Sequence, residues 1–229
     1  MPSRTNPAAL HVERRALRDS ALHPVADKLA SGQRLDDSDA LTLFQSSDLL
    51  AVGALADAVN RARHDDVVTF AANQHINPTN VCVLRKTCVF CGYARLPKEE
   101  GAYRYTLEQV MAEAEAARGG LTREFHIVGG LDMQAGLEYY TTMFRALKRE
   151  FPHVHIKALT AVEIAHLARI EKMPWRDVLI ALKEAGLDTM PGGGAETFSL
   201  AVREQIANKK LAGADYIDVH RTAHELDIR

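Results

Sequence analysis

The chain has 229 residues, of which 47% are hydrophobic and 25% are charged, and its formal net charge is -2 at pH 7. This length allows one substantial domain with its own core, and the near-neutral charge gives no electrostatic footprint for nucleic acid or an anionic membrane. Because no run approaches the roughly 20 apolar residues of a membrane-spanning helix, we expect neither nucleic acid nor a membrane as a partner.

The N-terminus and the cysteines indicate a cellular compartment. Met1–Asn6 is not followed by an apolar run, so we expect no secretory signal. The chain has three cysteines, and because this number is odd they cannot all pair as disulfides. Free thiols without a signal are typical of a reducing compartment, and we expect a cytoplasmic protein.

Residues 1–66 are predicted to form a helical segment. Asp36–Asp39 offers N-cap side chains before the apolar run Ala40–Phe44. Ser46–Asp48 caps a second helical stretch that extends through Val59. The short β-branched run Val67–Phe70 follows.

From residue 67 to residue 229, strands and helices are predicted to alternate. Strands are expected at 124–128, 155–159 and 187–190, and their starts recur at about the 30-residue spacing of a βαβ unit. Thr106 and Thr160 open helices with capping boxes, and Pro174 suits another helix start. Such α/β units build a parallel sheet that is either open or closed into a barrel. Since the chain stops where another strand is due, we expect it to be a fragment of a longer protein.

Four segments of unusual composition follow predicted strands. These segments are the cysteine loop, Gly129-Gly130, Lys157–Thr160 and Pro191–Glu196. Because functional groups of parallel sheets collect at the carboxyl ends of strands, the four segments are expected on one face.

Cys82, Cys88 and Cys91 all lie within ten residues. A C-x2-C pair with a third thiol upstream is typical of a metal centre, and three protein ligands leave one coordination position open for chemistry. A structural zinc site with His75 as fourth ligand is the alternative. The position at a strand end and the aromatic Phe90 favour the open centre.

The run Asn77–Cys91 resembles the cluster-binding loop of the radical S-adenosylmethionine (SAM) superfamily. The resemblance implies a partial TIM-like barrel with parallel strands, preceded by N-terminal helices. It also implies that Cys82, Cys88 and Cys91 hold a [4Fe-4S] cluster, whose fourth iron binds SAM and whose electron generates a 5′-deoxyadenosyl radical. The family spacing is C-x3-C-x2-C, whereas this chain has C-x5-C-x2-C. Two additional residues in a flexible loop cost well under about 1 kcal/mol in closure entropy.

The resemblance assigns further contacts to the cofactor. Gly129-Gly130 matches the glycine pair that meets the methionyl amino group, although Leu131 and Asp132 follow where many members have glutamate; a plain turn is the alternative. Phe90 and Tyr93, on either side of Cys91, are expected at the cofactor.

The glycine run Gly192, Gly193 and Gly194 is expected to begin a helix whose free N–H groups bind a carboxylate or a ribose. Its alternative is a flexible connector. Glu196 would hydrogen-bond a hydroxyl group or merely favour the helix start.

Other charged residues have two interpretations each. Lys157 lies on a largely apolar strand and is a candidate partner of a substrate carboxylate, or it extends its ammonium to solvent. Glu163 fits a capping box better than catalysis. His220 and His224 are four residues apart, but Arg221 occupies the position of a catalytic glutamate, so a solvated helix face is favoured.

The segments His126–Leu131, His155–Ile164 and Pro191–Glu196 are similar to the menaquinone (futalosine pathway) and deazaflavin branch, and the second is most similar to the aminodeoxyfutalosine synthase family. The resemblance implies a radical SAM transferase that adds the 5′-deoxyadenosyl radical to 3-[(1-carboxyvinyl)oxy]benzoate and forms 6-amino-6-deoxyfutalosine. It implies a small-molecule substrate and a low-potential electron donor as partners. Dehypoxanthine futalosine cyclase or an FO synthase-like enzyme, and a non-catalytic zinc domain or an inactive fragment, are the alternatives.

Overall fold

A computed structural model describes residues 16–229. Met1–Asn6, on which the expectation about a secretory signal rests, lies outside the described residues. The chain divides into two compact units, Met1–Phe70 and Ala71–Arg229. None of the helices in the described part is long and apolar enough to cross a bilayer.

From residue 16 onward, the first unit contains three α-helices, α1 (His23–Ala30), α2 (Asp37–Gln45) and α3 (Leu49–His64). The two predicted caps are confirmed. Asp36 accepts hydrogen bonds from the backbone N of Ser38 and Asp39, and Asp48 accepts one from Ala51 N. These bonds satisfy N–H groups that the first turn of a helix leaves unpaired. The apolar faces of the unit meet in one core cluster: Leu17, Leu22, Val25, Ala26, Ala51 and Leu55.

The second unit contains a parallel sheet in the order β1 (Asn73–Ile76), β2 (Glu124–Ile127) and β3 (His155–Ala158). A full strand at 187–190 was a wrong prediction, because only one bridge, from Thr189 to Lys157, continues the sheet there. Pro191 follows at once, and proline has no N–H for a further ladder bond.

The described part of this unit also contains six α-helices: α4 (Leu107–Ala114), α5 (Leu137–Glu150), α6 (Ala161–Glu171), α7 (Trp175–Ala185), α8 (Leu200–Ile206) and α9 (Gly213–Glu225). The capping boxes at Thr106 and Thr160 are confirmed. The unit is therefore the predicted α/β fold with an open parallel sheet, consistent with part of a barrel.

The two faces of the sheet differ in polarity. On one face Phe125, Ile127, Ile156 and Ala158 are completely buried in the core formed with the helices. On the other face the alternate residues of β2 and β3 are polar and half-buried: Glu124, His126, His155 and Lys157. The polar face is where the predicted substrate ligand Lys157 lies.

Candidate active site

The cysteine loop connects β1 to α4 and places all three thiols on one cavity of about 270 Å³. The long gap between Cys82 and Cys88 is folded into a hydrogen-bonded turn, in which Thr87 N and Cys88 N donate to Leu84 O at 2.8 and 2.9 Å. The two residues added relative to the family spacing are thus accommodated without moving a cysteine away from the cavity.

The thiols lie in an apolar environment. Cys88 is buried and packs with Leu84, Leu131 and Val162, and Cys82 and Cys91 contact the same cluster. Burial raises the pKa of the Cys88 thiol, and the positive charge of Lys210 opposes that rise. An apolar environment disfavours a free thiolate, and a metal bound to the sulfur would take the place of the proton.

The glycine pair at the end of β2 contacts the cysteine loop directly. Gly130 N donates to Thr79 O at 2.9 Å. A Cβ on Gly129 would lie 2.9 Å from Thr79 O, and one on Gly130 would lie 2.1 Å from Val81 O. Both glycines also line the cavity. The pair is therefore required by a close backbone approach, which a plain turn would not need.

Glu163 connects the ends of β2 and β3. Its Oε2 accepts hydrogen bonds from Thr160 N and Thr160 Oγ1 at 2.7 and 2.8 Å, which completes the predicted capping box. Its Oε1 accepts a bond of 2.9 Å from Gly129 N, a contact that sequence reasoning missed. Burial raises the pKa of Glu163, and these hydrogen bonds partly offset the rise. One buried side chain thus holds the glycine turn in place.

Asp132, which stands just after the glycine turn, is buried and does not reach the cavity. Arg104 binds it in a bidentate pair, with Nε–Oδ2 and Nη2–Oδ1 distances of 2.6 and 2.8 Å. Thr79 Oγ1 donates to the same carboxylate at 3.2 Å. Asp132 follows the glycine pair closely, near the position where many family members have glutamate. Here it links the glycine turn to the cysteine loop through these hydrogen bonds.

The glycine-rich loop after the Thr189 bridge does not begin a helix, so that prediction was wrong. Gly194 and Glu196 have φ values of 101° and 62°, which a right-handed helix cannot contain, and α8 begins only at Leu200. Gly194 and Glu196 line the cavity, whereas Gly192 and Gly193 are exposed and do not.

Two basic residues near this loop were not predicted. Lys210 lines the cavity, and its Nζ lies 2.5 Å from Glu196 Oε1. Arg203 is buried and donates to the carbonyl oxygens of Ala195 and Thr197 at 2.8 and 3.0 Å, and to that of Lys210 at 3.3 Å. Arg203 thereby ties together the segments that present Glu196 and Lys210.

The aromatic residues expected at the cofactor both line the cavity. Phe90 lies beneath the ammonium of Lys210, at 5.4 Å from Nζ to the ring centroid. The hydroxyl of Tyr93 is hydrogen-bonded to that of Tyr103, and burial raises the pKa of Tyr93. These rings form an apolar wall beside Cys91.

Lys157 lies outside the cysteine cavity, on the polar face of the sheet. Its Nζ is 2.6 Å from Glu124 Oε1, so the anion that a half-buried lysine requires is supplied by the neighbouring strand. Next to this pair, the rings of His75 and His126 are stacked, with centroids 4.5 Å apart. His155 bonds Thr189 Oγ1 at 2.8 Å.

Three thiols on one cavity are a donor set that a metal cluster can use. Within residues 16–229, no three His, Cys, Asp or Glu side chains lie close enough together to bind one metal ion. His75, the alternative zinc ligand, is instead stacked on His126, and His220 packs its ring against Tyr216. Each thiolate of a [4Fe-4S] cluster binds a different iron, so its sulfur atoms lie farther apart than those around one ion. Three thiols on one apolar cavity fit that arrangement.

Comparison with known proteins places this geometry in a family. The sequence profile described as "Radical SAM superfamily" matches residues 76–229. An aminodeoxyfutalosine synthase of Thermus thermophilus is 42% identical over 93% of this chain and 57% of its own length. A cyclic dehypoxanthine futalosine synthase of Streptomyces coelicolor is 35% identical over 90% of this chain and 52% of its own. The chain thus spans little more than half the length of these relatives. The crystal structure of a methylornithine synthase has the same fold, with a TM-score of 0.64 at 20% identity over 88% of this chain and 56% of that one.

Proposed function

Because the chain belongs to the radical SAM superfamily, we propose that Cys82, Cys88 and Cys91 bind a [4Fe-4S] cluster whose open iron binds S-adenosylmethionine. The observation that carries the proposal is the single cavity lined by the three thiols, the glycine pair and Glu196. The bound group would supply one-electron reduction of the SAM sulfonium. A low-potential electron donor is the implied partner.

The residues of the cavity would bind and orient the cofactor. The backbone of Gly129-Gly130, fixed by Glu163, would meet the methionyl amino group. Gly194 and Glu196 approach the cavity from the opposite loop and offer backbone groups and a carboxylate to ribose hydroxyls. Phe90 and Tyr93 would exclude water from the reacting atoms.

We further propose that the protein containing this chain makes 6-amino-6-deoxyfutalosine by adding the 5′-deoxyadenosyl radical to the enol-ether double bond of 3-[(1-carboxyvinyl)oxy]benzoate, with rearrangement and loss of carbon dioxide. The support is the 42% identity to an aminodeoxyfutalosine synthase. Such a substrate has two carboxylates, and Lys157 on the polar sheet face is a suitable cation for one of them. Its ion pair with Glu124 would hold the ammonium in position until the substrate carboxylate arrives.

Cluster binding is tested by anaerobic reconstitution of wild-type and Cys88→Ser proteins, with assays of iron, sulfide and zinc. The wild type should contain iron and sulfide and cleave SAM to 5′-deoxyadenosine under reducing conditions, and Cys88→Ser should lose both properties. A protein that takes up zinc and no sulfide would refute the proposal.

The substrate is tested by supplying 3-[(1-carboxyvinyl)oxy]benzoate or dehypoxanthine futalosine to the loaded enzyme in separate reactions. Consumption of the first supports the proposed reaction, and consumption of only the second assigns the cyclase reaction instead. Lys157→Ala should raise the KM for the benzoate substrate at least tenfold, whereas Lys98→Ala, at an exposed position, should not. An unchanged KM in Lys157→Ala removes this residue from the substrate site.

A further inference from the structure

Lys210 is the one basic side chain among the described residues that line the cysteine cavity. The other charged groups there are acidic: Glu163 and Glu196, together with the three thiols once they are ionised. The neighbouring Lys209 has the same side chain but is exposed and lies outside this cavity. The fold therefore selects one of two adjacent lysines and directs it inward.

Two segments contact the ammonium of Lys210, and a third fixes its backbone. Glu196 pairs with it at 2.5 Å, the face of Phe90 lies 5.4 Å away, and only 12% of its side chain is exposed. Arg203 fixes its backbone carbonyl at 3.3 Å. Ordering a lysine in this way costs up to about 2 kcal/mol in side-chain entropy, in addition to partial loss of hydration.

Glu196 alone does not account for this arrangement. An ion pair at the surface would satisfy the same two charges at lower desolvation cost, and such pairs contribute little to stability. Beside three cysteines, the ammonium can offset negative charge, because ligated thiolates concentrate such charge in a site of low dielectric. Reduction of a cluster adds further negative charge at that point, and nearby charges set its potential.

We propose that Lys210 is the charge-compensating residue of this centre and that, opposed by Glu196, it makes the cluster easier to reduce. The inference rests on the proposed cluster at Cys82, Cys88 and Cys91, but it requires neither the substrate nor turnover. Lys210 would thus influence the reduction potential of the cluster, whereas the three cysteines would bind its irons.

The test is a redox titration of the anaerobically reconstituted holoprotein, followed by electron paramagnetic resonance of the reduced cluster without substrate. Lys210→Gln should shift the midpoint potential to more negative values, and Glu196→Gln should shift it to more positive values. Lys210→Arg should restore the wild-type potential, and Lys209→Gln should leave it unchanged. Opposite shifts from the two members of one ion pair cannot result from general destabilisation.

Other outcomes overturn the inference. An unchanged potential in Lys210→Gln refutes it, and so do shifts of the same sign in Lys210→Gln and Glu196→Gln. Loss of iron from Lys210→Gln but not from Glu196→Gln would make Lys210 a structural residue instead. Absence of iron and sulfide in the wild type itself would refute the proposed function and, with it, the inference.

Discussion

Replacing Gly130 by alanine tests whether the glycine turn positions the cysteine loop. The new Cβ would lie 2.1 Å from the carbonyl oxygen of Val81 and 3.0 Å from the Cβ of Cys82. The loop backbone cannot move aside easily, because Gly130 N bonds Thr79 O and Cys82 N bonds Arg95 O, each at 2.9 Å. Overpacking usually costs about 1–3 kcal/mol, and a clash with buried backbone places this variant at the upper end, about 3 kcal/mol.

The assay combines urea unfolding with iron content after anaerobic reconstitution. A loss of about 3 kcal/mol lowers the folding equilibrium constant roughly a hundredfold and shifts the urea midpoint by at least about 1 M, and displacement of Cys82 should also reduce iron uptake. Gly192→Ala is the matched control, since its Cβ would meet open space, and it should change stability by less than about 0.5 kcal/mol. Wild-type unfolding and full iron content in Gly130→Ala would refute the reasoning.

Two further predictions concern the polar braces of the site. Because burial raises the pKa of Glu163 above its ordinary value of 4.5, the stability linked to this carboxyl is complete below pH 4.5 and declines as the pH rises through its pKa in the folded protein. Glu163→Gln should flatten that part of the profile of unfolding free energy against pH, and an identical slope in both proteins would contradict it. Arg104→Gln leaves the Asp132 carboxylate, 2% exposed, without its guanidinium and should cost about 3 kcal/mol or more in urea unfolding. Arg221→Gln, which removes an exposed pair with Asp218, should cost less than about 1 kcal/mol, and equal losses in the two variants would count against the brace.

The parts of the fold that were predicted correctly have local signals. The capping boxes at Thr106 and Thr160 and the caps at Asp36 and Asp48 require only residues a few positions apart, so the sequence pattern predicts them directly. Strand alternation and cysteine spacing are also local. The strand before the cysteine loop was not predicted, because β1 covers Asn73–Ile76, whereas the β-branched run Val67–Phe70 forms no strand.

The residues that were missed depend on contacts between distant segments. Which of Lys209 and Lys210 turns inward is decided by Glu196 and Phe90, and nothing in the pair itself distinguishes the two. The partner of Lys157 is Glu124, and that pairing follows from the register of β2 and β3 rather than from either strand alone. The sequence pattern could identify a lysine in need of an anion but not the anion.

The glycine-rich loop was misjudged for a similar reason. A proline followed by three glycines is compatible with a helix start, a turn or a close approach. Packing selects among these conformations, since a Cβ on Gly194 would lie 3.1 Å from Val162 Cγ2, on the helix that begins beside Thr160. A side chain at Gly194 would therefore meet both a positive φ and a neighbour more than thirty positions away in the chain.

The difference in polarity between the two faces of the sheet also fixes the register in which its strands pair. Most parallel sheets are apolar on both faces, so a strand displaced by one position loses little. Here a one-residue slip of β3 against β2 would turn the ammonium of Lys157 towards the helices and bring Ile156 to the polar side. Burying that charge unpaired would cost several kcal/mol, on the order of the stability of a whole domain. The polar face that carries the proposed substrate ligand Lys157 thus also opposes a shift in strand register, and exchanging its residues for apolar side chains would remove that protection.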